Sequence, residues 1–208
     1  MHSDDVQSKE SPAESSTLRR IVAGARRHFF AHGLRGVTMD DLAESLGMSK
    51  KTLYAHFPGK TALVEAALLN KLQEIETELE QITSESSYDF LGKLHQLLAC
   101  MQRHMDEIQP PFLRDLRREA EIFKLVEDRR RNVMQRHIGR LLEQGREAGI
   151  IRGDIPVELV MEILLGAVQA IINPAKMTEL GLTPKAAFSI IITVIFEGVI
   201  TEEGRSKL

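Results

Sequence analysis

Cysteine and aromatic residues are scarce in this chain: among 208 residues there is one cysteine, Cys100, with two tyrosines and no tryptophan. A single cysteine excludes a disulfide within the chain and fits a reducing cytoplasm. With 5% aromatic residues, a cage for a planar cation is not expected. The sequence has no GxSxG elbow, no Walker phosphate loop and no GxGxxG following a strand. Neither an enzyme nor a cofactor is therefore expected. Cys100 and His104 lie four apart on one helical face, but His95 is turned away from them. Without CxxC or HExxH spacing, no metal site is expected. Long apolar runs are missing too. Residues 186–200 are strongly apolar, yet a span needs about 20 such residues, and Glu197 interrupts the run. This stretch reads as a helix buried between helices, with no membrane partner. The first residues contain no apolar signal region, and 1–15 read as a disordered polar tail.

What is present is enough for one sizeable core and a smaller satellite domain, with 43% hydrophobic residues. Charge divides unevenly. Residues 16–60 carry eight Lys and Arg against three acids, a net of +5, so the rest of a chain of net −3 carries −8. A basic head on an acidic body orients a molecule toward a polyanion such as DNA.

The head contains the most specific local pattern, TMDDLAESLGMSKKTLYAHF at residues 38–57. Thr38 is suited to cap a helix over 39–46, with Asp40 and Asp41 in its first turn. Met39, Leu42, Ala43 and Leu46 share one face of that helix. Gly47 can take the positive φ that ends it, and Ser49 caps a second helix. In the second helix Leu53, Ala55 and Phe57 are expected inward, with Lys50, Lys51, Thr52, Tyr54 and His56 outward. Cations, hydroxyls, a phenol and an imidazole on one short helix suit the phosphates and base edges of a DNA major groove. The pattern is a helix-turn-helix.

Together with its flanks, the head resembles the N-terminal domain of the TetR family of transcriptional regulators. The matching residues are Ile21, Ala25, Phe29, Gly33, Gly36, Thr38, Leu42, Ala43, Gly47, Ser49, Leu53, Tyr54, Phe57, Lys60 and Leu63, in order and in register. The resemblance implies that Thr38 and Lys60 contact phosphates at two helix N-termini, and that Tyr54 and His56 brace the sugar–phosphate backbone. It leaves Lys50, Lys51 and Thr52 as candidates for base readout after the Ser49 cap. Some family members read bases from the position of Asp40 with a basic residue; here readout is expected to fall on the second helix. The implied organisation is all-α: a DNA-binding domain at 16–65 and a helical effector-binding and dimerisation domain at 66–208.

Beyond residue 65 the pattern is helical. Helices are expected over 60–83, 88–108, 112–119, 121–148, 156–172 and 184–200. Pro110-Pro111 and Asn173-Pro174 act as stops, and Leu125, Val133, Met134, Ile138, Leu141 and Leu142 point inward. The last two helices are apolar over more than one face, so each is expected to meet a second copy across a two-fold interface. The resemblance agrees, and it further implies a pocket for a small apolar or amphipathic effector in the body. Leu98, Met101, His104, Met105, Phe112, Phe123 and Met134 are the candidate lining residues. Arg114, Arg117, Arg118, Arg129, Arg130 and Arg131 interleave with acids and read as a salt-bridged surface. The expected function is a homodimeric repressor on palindromic double-stranded DNA, released by its effector. The alternative is a helical binding module, or a DNA-binding protein without sequence readout.

Overall fold

Residues 12–206 are described by a computed structural model. Their regular structure is helical, apart from one isolated antiparallel bridge between Ile151 and Ile200. The head contains α1 (Pro12–His32), α2 (Met39–Ser45), α3 (Lys50–His56) and the start of α4 (Lys60–Ser84). Helix α1 starts earlier than the expected tail boundary allows, so residues 12–15 are its first turn. Proline is tolerated at a first helical position, and Glu14 complements the helix dipole there. The rest of the expected tail, 1–11, lies outside the described residues.

The body continues with α5 (Phe90–Asp106), α6 (Pro110–Leu116), α7 (Ala120–Met134), α8 (Arg140–Glu147), α9 (Val157–Ile171), α10 (Pro174–Leu180), α11 (Pro184–Val199) and α12 (Glu202–Arg205). Five differences from the sequence expectation stand out, the first two with local causes. Pro110 and Pro111 open α6 instead of only stopping α5, because proline suits the first turn of a helix. Asn173 accepts from the backbone N–H of Lys176 at 2.9 Å and so caps α10, a helix absent from the expectation. The single helix expected over 121–148 is instead α7 and α8 joined by a π-turn at Gln135–Gly139. The wider turn shifts helical phase, and it is followed by His137, Ile138 and Gly139 all being buried. Leu125, expected inward, is 41% exposed. In α3, Ala55 is exposed whereas Leu53 and Phe57 are buried.

Two cores result. That of the body gathers Leu79, Leu97, Cys100, Val133, Leu141, Leu142, Ile151 and Met161. That of the head gathers Ile21, Ala25, Phe29, Leu42, Leu53 and Leu63, and it does not close at residue 65: Leu68 of α4, Phe112 and Leu116 of α6, and Ile122 of α7 belong to it. Helix α6 is thus seated on the head. Phe30 and Phe112 stack with centroids 4.6 Å apart, and Phe30 O accepts from the Gln109 N–H at 3.2 Å. Asp115, 2% exposed, accepts from the backbone N–H of Arg35 at 2.9 Å. Gly33 makes this approach possible. Its φ is +82°, and a Cβ there would lie 2.6 Å from Asp115 Oδ2. Among the described residues no single helix is long and apolar enough to cross a membrane; α9 and α10 reach the length only together and are bent by 82°.

Candidate nucleic-acid interface and apolar cavity

Local hydrogen bonds cap both helices of the helix-turn-helix. Thr38 Oγ1 accepts from the Asp41 N–H at 3.1 Å, while Asp41 Oδ2 accepts from the Thr38 N–H at 2.8 Å and from the Thr38 hydroxyl at 2.7 Å. This reciprocal cap satisfies helix-end donors of α2. The hydrogen bond from the Thr38 hydroxyl, followed by that from its backbone, holds the Asp41 carboxyl below its ordinary range. Gly47, at φ +62°, ends α2 and turns the chain. Ser49 Oγ then accepts from the Thr52 N–H at 3.0 Å and lies 2.8 Å from Thr52 Oγ1. Ser49 therefore acts as the cap of α3.

Burial of Leu53 and Phe57 against the head core sets which way α3 faces. Lys50, Lys51 and Tyr54 are exposed, Tyr54 at 49%, while Thr52, His56 and Lys60 are half-buried. Thr38 and Ser49 are exposed as well. Lys50 is not an unpaired cation: its ammonium forms a salt bridge with Asp40 of α2, and this hydrogen bond raises the Lys50 pKa. The sequence marks Asp40 as an acid unsuited to base contact but does not reveal this pairing. Lys60 occupies the first position of α4, whose N-cap, Gly59, supplies no side-chain cap. The first N–H groups of a 25-residue helix are therefore left open to an anion beside a cation.

The body encloses an apolar cavity of about 170 Å³. All seven residues singled out from the sequence, Leu98, Met101, His104, Met105, Phe112, Phe123 and Met134, line it. So do Phe30 of α1, Leu68 of α4 and Leu116 of α6, the residues that join head to body. An engineered apolar cavity of about 150 Å³ in another protein holds benzene, so this space suits a small apolar molecule. Polar groups stand at its margin. Arg117 Nη2 donates to Gln169 O at 2.6 Å and its guanidinium lies 5.6 Å from the Phe123 ring centroid. Arg130 donates to Glu127 at 3.1 and 2.6 Å. The arginine series is largely paired, as its interleaving with acids implies, but the partners include distant ones. Arg129 and Arg136 converge on buried Glu76, and Arg131 pairs with Glu162.

Next to the cavity, His104 is buried without hydrogen bonds at either ring nitrogen. Nε2 lies 3.4 Å from Glu78 Oε1 and Nδ1 3.9 Å from Glu107 Oε1, within reach of charge attraction but outside hydrogen-bond geometry. Burial, then the nearby Lys71 ammonium, lowers the imidazole pKa. Cys100 Sγ donates to Glu78 Oε2 at 3.3 Å, and burial followed by that carboxylate pushes the thiol up to about 12. Spacing along α5 alone paired Cys100 with His104 but could not reveal Glu78, which arrives from α4.

Leu159 and Ile163 of α9 are each 51% exposed, and Ile190 and Val194 of α11 are 50% and 67% exposed. These residues recur at helical spacing, beside the exposed small residues Gly166 and Gly198.

Comparison with known proteins matches residues 21–67 to the family described as bacterial regulatory proteins, tetR family. Over 185 residues the chain is 26% identical to YvaF of Bacillus subtilis, an HTH-type transcriptional regulator, covering 89% of this chain and 96% of that protein. It is 36% identical to the HTH-type transcriptional regulator TtgR of Pseudomonas putida over 93 residues, 44% of this chain and 43% of that one. Its fold is similar to SmeT, the repressor of the Stenotrophomonas maltophilia multidrug efflux pump SmeDEF. There the TM-score is 0.63 at 17% identity, over 96% of this chain and 94% of that one. SmeT is also known as a complex with triclosan.

Proposed function

The chain belongs to the TetR family of bacterial regulatory proteins, and from that premise we propose that it is a homodimeric repressor released from a palindromic operator by a small apolar or amphipathic effector. It is a DNA-binding transcriptional regulator, not an enzyme. The observation that carries the finer reading is the outward face of α3. Lys50, Lys51 and Tyr54 project from a helix anchored by Leu53 and Phe57. Lys51, Thr52 and Lys50 read base edges from the groove, once Lys50 exchanges Asp40 for DNA. Tyr54 and His56 support the sugar–phosphate backbone, and Lys60 with the N-terminus of α4 holds a phosphate. Ser49 and Thr38 position the two helices chiefly as caps, with their exposed backbone at the phosphate edge.

A second copy covers the apolar stripes of α9 and α11, giving a two-fold bundle of four helices. Two α3 helices then meet half-sites about one helical turn of DNA or a multiple apart. The DNA partner places the protein in the cytoplasm. The cavity supports the effector reading because its wall includes Phe112 and Leu116 of α6, which also belong to the head core. An occupant that displaces α6 pulls on Arg35 through Asp115 and on Phe30 through Phe112. The head orientation changes with it. SmeT, with its triclosan complex, supports an apolar occupant.

Charge reversal tests the reading. Lys50→Glu, Lys51→Glu and Lys60→Glu should each lower affinity for a duplex selected from a random pool by about tenfold or more, and reduce the salt slope by about 1. Binding by the unaltered protein that is equal across unrelated duplexes would establish the alternative, a DNA-binding protein without sequence readout.

A further inference from the structure

Helices α4 and α5 bring three different metal-ligating side chains together outside the DNA interface. Cys100 and His104 stand one turn apart on α5, and Glu78 faces both from α4. Cys100 Sγ lies 3.3 Å from Glu78 Oε2, His104 Nε2 lies 3.4 Å from Glu78 Oε1, and one ligand atom from each residue falls within 4.8 Å of the others. Zinc bonds of about 2.0–2.3 Å in a tetrahedron separate neighbouring ligand atoms by about 3.3–3.6 Å. Cys100 and His104 each stand at that separation from one of the two Glu78 oxygens, and no pair in the set exceeds 4.8 Å, so a small shift closes it around an ion. His104 supplies an independent sign of a missing partner: it is 3% exposed, and neither ring nitrogen has a hydrogen bond.

We propose that Glu78, Cys100 and His104 bind one thiophilic divalent cation of the zinc class, which clips α4 to α5. Thiolate, imidazole and carboxylate are the donor types zinc accepts, and water completes the set. A ligating histidine usually donates its other ring N–H to a carboxylate, and Glu107 stands 3.9 Å from Nδ1 in that role. Lys71 keeps Glu107 in place at 2.7 Å and also reaches Glu74. Entry runs along Glu78, whose side chain is 33% exposed. Arg103, which donates to Glu78 Oε2 at 2.9 Å, is 61% exposed and swings into solvent as the cation arrives. The Cys100 thiol proton leaves to solvent as the thiolate bonds to the metal, so one proton is released and no electron moves. The site involves no DNA contact and stands whether or not the repressor reading does.

The full chain, stripped with a chelator, is titrated with cobalt(II) chloride and then with zinc sulfate. A thiolate-to-cobalt absorption band saturating at one equivalent per chain, and removed by zinc, is the expected result. Cys100→Ser should abolish the band. His104→Gln and Glu78→Gln should each weaken cobalt binding by about tenfold or more, while His95→Gln, exposed on the same helix, leaves it unchanged. Glu78→Gln alters a partly exposed residue, so its folded state, checked by circular dichroism, keeps the test decisive even where a buried variant unfolds. Absence of the band, or a band of equal affinity in folded Glu78→Gln, overturns the proposal and leaves Cys100 as a buried thiol hydrogen-bonded to a carboxylate.

Discussion

Lys50 and Asp40 show how a single pair can tune an interface. The ion pair is exposed at both ends, so its own contribution to folding is small. On the proposed DNA-facing surface its effect would be larger, because Asp40 occupies Lys50 and would repel phosphates brought to it. Asp40→Asn should therefore raise affinity for operator and for unrelated duplexes alike, by about two- to fivefold, and steepen the salt dependence. Fluorescence anisotropy at two salt concentrations checks this. His137 gives a pH prediction of definite sign. Burial lowers its pKa from the ordinary 6.5, with Glu76 acting in the opposite direction, and Nε2 has no hydrogen-bond partner. The unfolded chain thus takes up a proton more readily, so its contribution to stability is lost as pH falls below 6.5. Melting temperature should decline from pH 7.5 to 5.5, and His137→Gln should flatten part of that decline. Loss of the Asp41 contribution belongs to a lower window, below its ordinary 3.8.

At the scale of helices, the sequence made some features plain for a physical reason. Thr38, Gly47 and Ser49 work through bonds to residues three or four positions away, so their roles can be read locally. Phe112 and Met134 were legible as cavity candidates because long apolar side chains at helical spacing must go inward somewhere. The direction of Ala55 and Leu125 was not legible, since the surface each faces is set by distant helices. The π-turn at Gln135–Gly139 has no local signature in the residues around it, and Glu78 joins Cys100 and His104 only through the packing of α4 on α5. The exposed stripes on α9 and α11 belong to the same scale, and they carry a test of the dimer. Ile163→Asp and Val194→Asp place a charge on each stripe at positions 51% and 67% exposed, where the isolated subunit loses little packing. Sedimentation equilibrium should show a monomer, and affinity for a two-half-site duplex should fall by about a hundredfold or more. A dimer that persists in both variants would place the interface elsewhere.

Across the whole molecule, α4 extends about 37 Å at 1.5 Å per residue and joins the proposed phosphate site at its N-terminus to the cluster near Glu78. The cavity lies beside its middle, and α6 connects the cavity wall to the head a second time. Asp115→Asn weakens that second connection without touching the cavity lining. Effector affinity should then stay within about twofold, while the effector concentration needed to release DNA rises several-fold, since coupling and binding are separate free energies. Isothermal calorimetry with effector and a DNA-release assay distinguish the two. The most direct measurement of the central claim compares one selected palindromic duplex with a scrambled duplex of equal length at physiological salt. The account predicts one dimer per palindrome, preference for it by about a thousandfold or more, and loss of that preference in Lys51→Glu. Equal affinity for both duplexes, or a preference that survives Lys51→Glu undiminished, would contradict it.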